Sequence, residues 1–304
     1  MLGYFGPAGT FTHQALLTFS DAEALPFATV SQALDAVRAG TVEAALVPIE
    51  NSVEGGVSIT LDALAAGKRL MIVREVLLPV QFNLYARPGT KLADVRRVVT
   101  HPHSAAQTRE WMAAHLPQAV VTEGGSNAAS ALEVSDPGSR FDAAICGQVA
   151  GEMYGLEAVA TGIADNASAV TRFVLVSRPG EPPHRTGADK TTLVAFMQTD
   201  RAGALLEILE QFSGRGVSLC RIESRPTKTG MGNYCFSIDA EGHLRDPRVA
   251  EAMQGLHRIC EDVIFLGSYP RADGVSAHVP RGFADSDFAS AKEWYTSLVH
   301  PDDE

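Results

Sequence analysis

A proline- and glycine-rich run, Pro179-Gly180-Glu181-Pro182-Pro183-His184-Arg185-Thr186-Gly187, divides this 304-residue chain into two stretches of unlike pattern. The length has room for about two domains of ~150 residues each. Before the break, short apolar runs alternate with helical patterns, as in a layered α/β domain. Strands are predicted over 1–5, 44–47, 71–76, 97–100, 119–122 and 143–146, and helices over 11–19, 30–39, 57–64, 105–115 and 126–134. The apolar run over 69–86 reads as extended chain passing between two lobes, and a strand over 171–176 returns to the first. Beyond the break, the order is strand 191–197, helix 203–212, strands 218–225 and 233–239, helix 247–260 and strand 263–266. That βαββαβ series is the ferredoxin-like arrangement. From 272 onward the chain is polar and reads as a poorly ordered tail with helical turns around 289–298.

A net charge of -11 without a Lys/Arg cluster argues against a nucleic-acid partner. No run approaches ~18 apolar residues, and Met1-Leu2-Gly3-Tyr4-Phe5 has no secretory pattern, so no membrane association and a cytoplasmic location are expected. Cys146, Cys220, Cys235 and Cys260 are dispersed, and buried reduced thiols are the expected state.

Polar residues gather where strands hand over to helices. In Val47-Pro48-Ile49-Glu50-Asn51-Ser52-Val53-Glu54-Gly55-Gly56, Pro48 is expected to end a strand; two carboxylates, an amide and a hydroxyl then crowd one turn. Such turns line ligand clefts in open α/β folds, although an N-cap role explains Asn51 or Ser52 singly. Gly6-Pro7-Ala8-Gly9-Thr10-Phe11-Thr12-His13 opens another helix, with glycines that miss the dinucleotide spacing. His101-Pro102-His103-Ser104 has no third ligand nearby, so a capping turn outweighs a metal site. Ser126-Asn127 starts a helix in the same manner, and several converging starts make an anion cleft. In the loop ending Thr171-Arg172-Phe173, Thr171 offers a hydroxyl and Arg172 a bidentate clamp; read alone, it is an ordinary turn with Arg172 exposed. In the second stretch, Gly203-Ala204-Leu205-Leu206 leaves room at a helix start, and Glu223-Ser224-Arg225-Pro226 can hold an internal ion pair.

Taken together, these segments resemble the prephenate dehydratase family in its form with a C-terminal ACT regulatory domain. The resemblance covers 1 to about 269, in order, and rests on the Gly6–Ala15, Pro48–Gly55, Thr171–Phe173, Gly203–Leu206 and Glu223–Pro226 motifs. With no chorismate mutase-like segment ahead of it, the chain resembles the monofunctional type. Ala8 stands where an acidic residue is frequent, and Ser168 and Ala169 replace amides. The implied fold is a two-lobed, periplasmic-binding-protein-like catalytic domain with a central cleft, plus a ferredoxin-like ACT domain. The implied boundaries are 1–178 for catalysis (lobes 1–76 with 161–178, and 77–160), 179–190 for the linker, 191–270 for the ACT domain and 271–304 for the tail.

The resemblance implies decarboxylating dehydration of prephenate to phenylpyruvate, a carbon–oxygen lyase reaction in phenylalanine formation that needs no metal or other cofactor. Thr171, Arg172 and Phe173 are its implied catalytic residues. Thr171 serves the leaving hydroxyl, Arg172 clamps carboxylate or orders the loop, and Phe173 packs on ring or core. Substrate would be held by Thr10, Phe11, Asn51, Ser52, Glu54, Gly55, His101, Ser104, Ser126 and Asn127, with Glu54 a second candidate for proton transfer. L-Phenylalanine is the implied effector at Gly203, Ala204, Leu205, Leu206, Glu223, Ser224, Arg225 and Pro226, in a homodimer or dimer of dimers. The alternatives are an arogenate dehydratase, whose substrate carries an ammonium in place of the keto group, and a non-catalytic amino-acid-sensing protein.

Overall fold

The computed structural model describes residues 1–199, 201–227 and 234–300. Asn233, expected to open a strand, and the last four residues lie outside the described part. The chain folds into two compact units, Met1–Thr60 with Val76–Val174, and Leu61–Glu75 with Leu175–Glu304.

Up to Ser177 the chain builds two sheets. The chain runs through β1 (Leu2–Phe5), α1 (Phe11–Leu17), β2 (Ala24–Phe27), α2 (Val30–Ala39), β3 (Ala44–Asn51), β4 (Gly55–Gly56), α3 (Ser58–Ala65) and β5 (Met71–Pro79). It then forms β6 (Asn83–Ala86), β7 (Arg97–Thr100), α4 (Pro102–Gln107), α5 (Arg109–His115), β8 (Val120–Glu123), α6 (Asn127–Ser135), β9 (Ala143–Cys146), α7 (Gln148–Met153) and β10 (Glu157–Ala160). It returns as β11 (Val170–Ser177). The first sheet has the order β2-β1-β3-β11-β5, with β4 on β3, and the second β10-β6-β9-β7-β8. β1 lies parallel to β2 and β3, and β7 parallel to β8 and β9. Continuous burial of β3 as far as Val47, and of all of β9, reflects sheets covered on both faces.

Two expectations need correction here. Pro48 does not end its strand, which runs on to Asn51; pairing with β1 reaches only Leu46, so β1 requires no N–H from Pro48. The single helix expected over 105–115 is two, broken at Thr108 (φ -126°, ψ 10°). The Thr108 hydroxyl donates to the Ser104 carbonyl, and the Asp165 carboxylate accepts the Glu110 and Trp111 N–H groups, each at 3.0 Å. A carboxylate distant in sequence thus starts α5. The short β2, β4, α7 and β10 carried no periodicity to read.

The second unit contains β12 (Asp189–Phe196), α8 (Ala204–Ser213), β13 (Leu219–Pro226), β14 (Tyr234–Glu241), α9 (Pro247–Ile259), β15 (Asp262–Pro270) and α10 (Asp285–Val299). Its antiparallel sheet has the order β13-β14-β12-β15, the ferredoxin-like arrangement. One face buries Leu193, Ala195, Phe236 and Ile238 with Ile208, Phe212, Val249 and Leu256 from α8 and α9. Alternation puts Lys190 and Thr192 on the other face. There Lys190 pairs with Glu75 at 2.8 Å, Thr192 donates to Asp239, and Asp239 meets Arg221 at 3.0 Å. Glu75 also accepts the Ala272 N–H, Asp62 pairs with Arg225 at 3.0 Å, and a side chain at Gly267 (φ 137°) would overlap the Ile72 carbonyl. These contacts group Leu61–Glu75 with the C-terminal module, while β5 stays hydrogen-bonded in the first sheet. The segment read as a tail carries a 15-residue helix, α10. Three cysteines are buried and Cys220 is exposed.

Candidate active site

In the first unit, the carboxyl ends of β1, β3 and β7, the starts of α1 and α6, helix α4 and strand β11 line a cavity of about 260 Å³. Ligands of open α/β sheets bind at such strand ends. Phe5, Phe11, Val80, Phe82 and Phe173 give it an apolar wall, with Phe11 edge-on to Phe82 at 5.5 Å. Thr10, Asn51, Glu54, His101, Ser104, Ser126, Asn127 and Thr171 supply polar groups, and no Lys or Arg is among the lining residues.

Two amides have fixed orientations. Asn51 Oδ1 accepts the Val53 and Glu54 N–H groups at 2.9 and 3.2 Å, so its Nδ2 faces Thr171 and donates to Oγ1 at 2.8 Å. Thr171 is thereby the acceptor, and its own proton has no protein acceptor among the described residues. Asn127 Oδ1 accepts from Ser104 Oγ at 2.9 Å and the His101 N–H at 3.3 Å, and lies 3.2 Å from Thr100 Oγ1, whose hydroxyl donates to the Ile145 carbonyl at 2.8 Å. Its Nδ2 is left to donate within the cavity. Strand alternation gives Thr171 and Phe173 to the cavity and Arg172 to the opposite face. Arg172 is 5 % exposed, pairs with Glu50 at 3.3 Å and is not a lining residue.

Ser52 and Gly55 also lie off the cavity wall. Ser52 donates its N–H to the Val170 carbonyl and accepts the Val170 N–H on Oγ, both at 2.9 Å, which docks the turn onto the start of β11. Gly55 takes φ 82°, the left-handed conformation this tight turn requires. Thr10 and Ser126 cap α1 and α6 through their hydroxyls. Glu54 is held by His103 Nδ1 at 2.7 Å and Gln107 Nε2 at 3.1 Å. Burial pushes His101 below the ordinary histidine value, with His103 adding to the effect against Glu54 and Glu123. Among the described residues, no three His, Cys, Asp or Glu side chains are grouped to hold a metal, and no helix is long and apolar enough to cross a membrane.

Sequence reasoning passed over His103 as a lining residue, and also Gln107, Val80 and Phe82. Gln107 was within reach, three residues after Ser104 on one helix face. Val80 and Phe82 sit in an apolar run where nothing distinguishes wall from core.

In the second unit, Gly203 (φ 89°) precedes α8 without a side-chain cap. Ala204 lines a small cavity with Met197, Arg201, Glu207 and Cys260, whereas Leu205 and Leu206 are exposed. Glu223 and Arg225 are 3.7 Å apart on edge strand β13, with Ser224 and Pro226 on its other side.

Two sheets with a donor-lined cavity, and a ferredoxin-like module in the same chain, define an α/β enzyme frame carrying a regulatory-type domain. Residues 2–181 match the prephenate dehydratase family and 191–258 the ACT domain family. The chain belongs to the prephenate dehydratase family. It is 46% identical to the prephenate dehydratase of Amycolatopsis methanolica, over 98% of this chain and 97% of that one. It is 48% identical to that of Mycolicibacterium vanbaalenii, over 92% and 94%. The crystal structure of the Arthrobacter aurescens prephenate dehydratase in complex with L-Phe superposes with a TM-score of 0.93, at 52% identity over 98% and 99% of the chains.

Proposed function

We propose that the cavity binds prephenate and converts it to phenylpyruvate, with Thr171 at the leaving hydroxyl. The observation that carries this reading is the Asn51–Thr171 bond, which turns the Thr171 hydroxyl into a committed donor. In the reaction, the bond from the ring to its carboxylate breaks and releases carbon dioxide. Its electron pair moves through the ring and expels the hydroxyl at the opposite carbon, which takes up one proton and leaves as water. Aromatisation drives both cleavages. A Thr hydroxyl is a poor acid, so Thr171 donates a hydrogen bond or relays a proton drawn from solvent. Substrate carboxylates meet neutral donors, Asn127 Nδ2 among them, because the wall offers no cationic side chain. Phe11, Phe82 and Phe173 flank the ring. Arg172, held by Glu50, orders β11 so that Thr171 is fixed, and Glu54 with His103 is the proton-carrying pair nearest solvent.

By likeness to the L-Phe complex of the relative, L-phenylalanine binds the C-terminal module and controls the catalytic cavity. Gly203 to Leu206 of one copy and Glu223 to Pro226 of another face the effector, in a homodimer or dimer of dimers located in the cytoplasm. Incubation of the purified protein with prephenate should yield phenylpyruvate, and added L-phenylalanine should change the rate. Turnover of arogenate alone, or of neither compound, would overturn the assignment. An unchanged rate with L-phenylalanine would remove only the regulatory half.

A further inference from the structure

Helix α10 has no buried residue along its 15 positions. Its start is secured: Asp285 pairs with Arg185 at 2.6 Å, and Phe283 just before it lies against Gly216. Beyond that anchor, Phe288, Ala291, Trp294, Tyr295, Leu298 and Val299 recur at helical spacing and form one continuous apolar stripe. Trp294 is 64 % exposed, Tyr295 63 %, Leu298 59 % and Val299 51 %. A lone helix of this length is marginal in water, since helices in proteins draw their stability from packing an apolar face. Nothing in the described chain covers this one.

We propose that the stripe of α10 is a self-association surface, covered by the same stripe of a second copy of this chain. Two aromatic side chains so exposed, with Leu298 and Val299, present roughly 450 Å² per protomer. A two-fold pair therefore buries about 1,000 Å² with its flanking atoms, the size at which specific association holds. A single straight stripe is self-complementary under two-fold rotation, so one patch serves both partners. The helix carries Asp285, Asp287 and Glu293 against Lys292, so it lacks the basic character that holds a helix on an anionic bilayer. The stripe shares no residue with the effector segments Gly203–Leu206 and Glu223–Pro226.

The chain reports on this directly, because Trp111 and Trp294 are its only tryptophans. In Trp111→Phe protein the remaining indole should emit as a buried group at high concentration and shift to the red on dilution. Sedimentation of the wild-type chain should show a mass that halves in Trp294→Ser/Leu298→Ser, with prephenate turnover at saturating substrate kept. Equal masses for wild type and variant, or a water-exposed emission independent of concentration, would overturn the proposal. Emission that turns blue only with added anionic vesicles would overturn it too, in favour of a membrane surface.

Discussion

Thr171 matters less for being a hydroxyl than for having its direction decided by Asn51. Thr171→Ala should lower kcat by more than 100-fold, on the order of a positioned proton donor, with KM little changed; near-normal turnover would sink its role. Thr171→Ser keeps the hydroxyl but loses the methyl that restricts its rotamer, so partial activity is expected. Asn51→Asp is the sharper variant. An ionised carboxylate in that place accepts the Thr171 proton and turns it away from substrate, whereas the protonated acid can donate as the amide did. Its turnover relative to wild type should therefore rise as pH falls, while a flat ratio would show that Asn51 does not orient the hydroxyl. Two half-buried imidazoles give a stability test. His13 and His101 are both held below the ordinary histidine value by burial. The unfolded chain then binds more protons below about pH 6.5. Their contribution is complete above that value and is lost as pH falls. His13→Gln/His101→Gln should flatten the drop in Tm between about pH 7 and pH 5.5, and an unaltered slope would show that other groups govern it.

At the scale of elements, the site is made by strands that end together and helices that begin together. Asn127 opens α6 and accepts from the His101 N–H just after β7 and from Ser104 in α4. It therefore sets the spacing of three elements as well as offering a donor. Asn127→Ala should cost about 1–3 kcal/mol in denaturant unfolding, because buried donors lose their acceptor. Asn127→Asp keeps that acceptor and removes the donor, so it should raise KM for a dianionic substrate with far less loss of stability. A KM unchanged in Asn127→Asp would separate this residue from the substrate. The helix starts at Thr10 and Ser126 were readable because capping residues announce themselves locally, whereas α4 begins earlier than expected, capped by His101. The break at Thr108 was not, since the Asp165 carboxylate that starts α5 lies 54 residues from Trp111.

Across the whole molecule, the polar face of the ACT sheet is closed by Leu61–Glu75 rather than by solvent. Lys190 and Glu75 are both nearly buried. Lys190→Met removes the ion-pair partner that meets buried Glu75 at 2.8 Å and should cost about 3–5 kcal/mol in urea unfolding. Lys190→Met/Glu75→Leu should regain much of that, and a single variant as stable as wild type would refute the pairing's importance. Cutting the chain in the Pro-rich linker is therefore a poor way to isolate regulation, because it strips Glu75 and Asp62 of Lys190 and Arg225. By itself the sequence determined the α/β and ferredoxin-like halves and the motifs, because periodicity, capping and turn chemistry act over a few residues. The family resemblance added the chemistry to those motifs. Only the tertiary structure decided that Arg172 turns from the cavity to Glu50, that Ser52 holds β11, and that Asn51 commits the Thr171 proton. Each of those depends on which strand lies beside which, and contacts between residues 120 apart in sequence, as Asn51 and Thr171 are, leave no local trace.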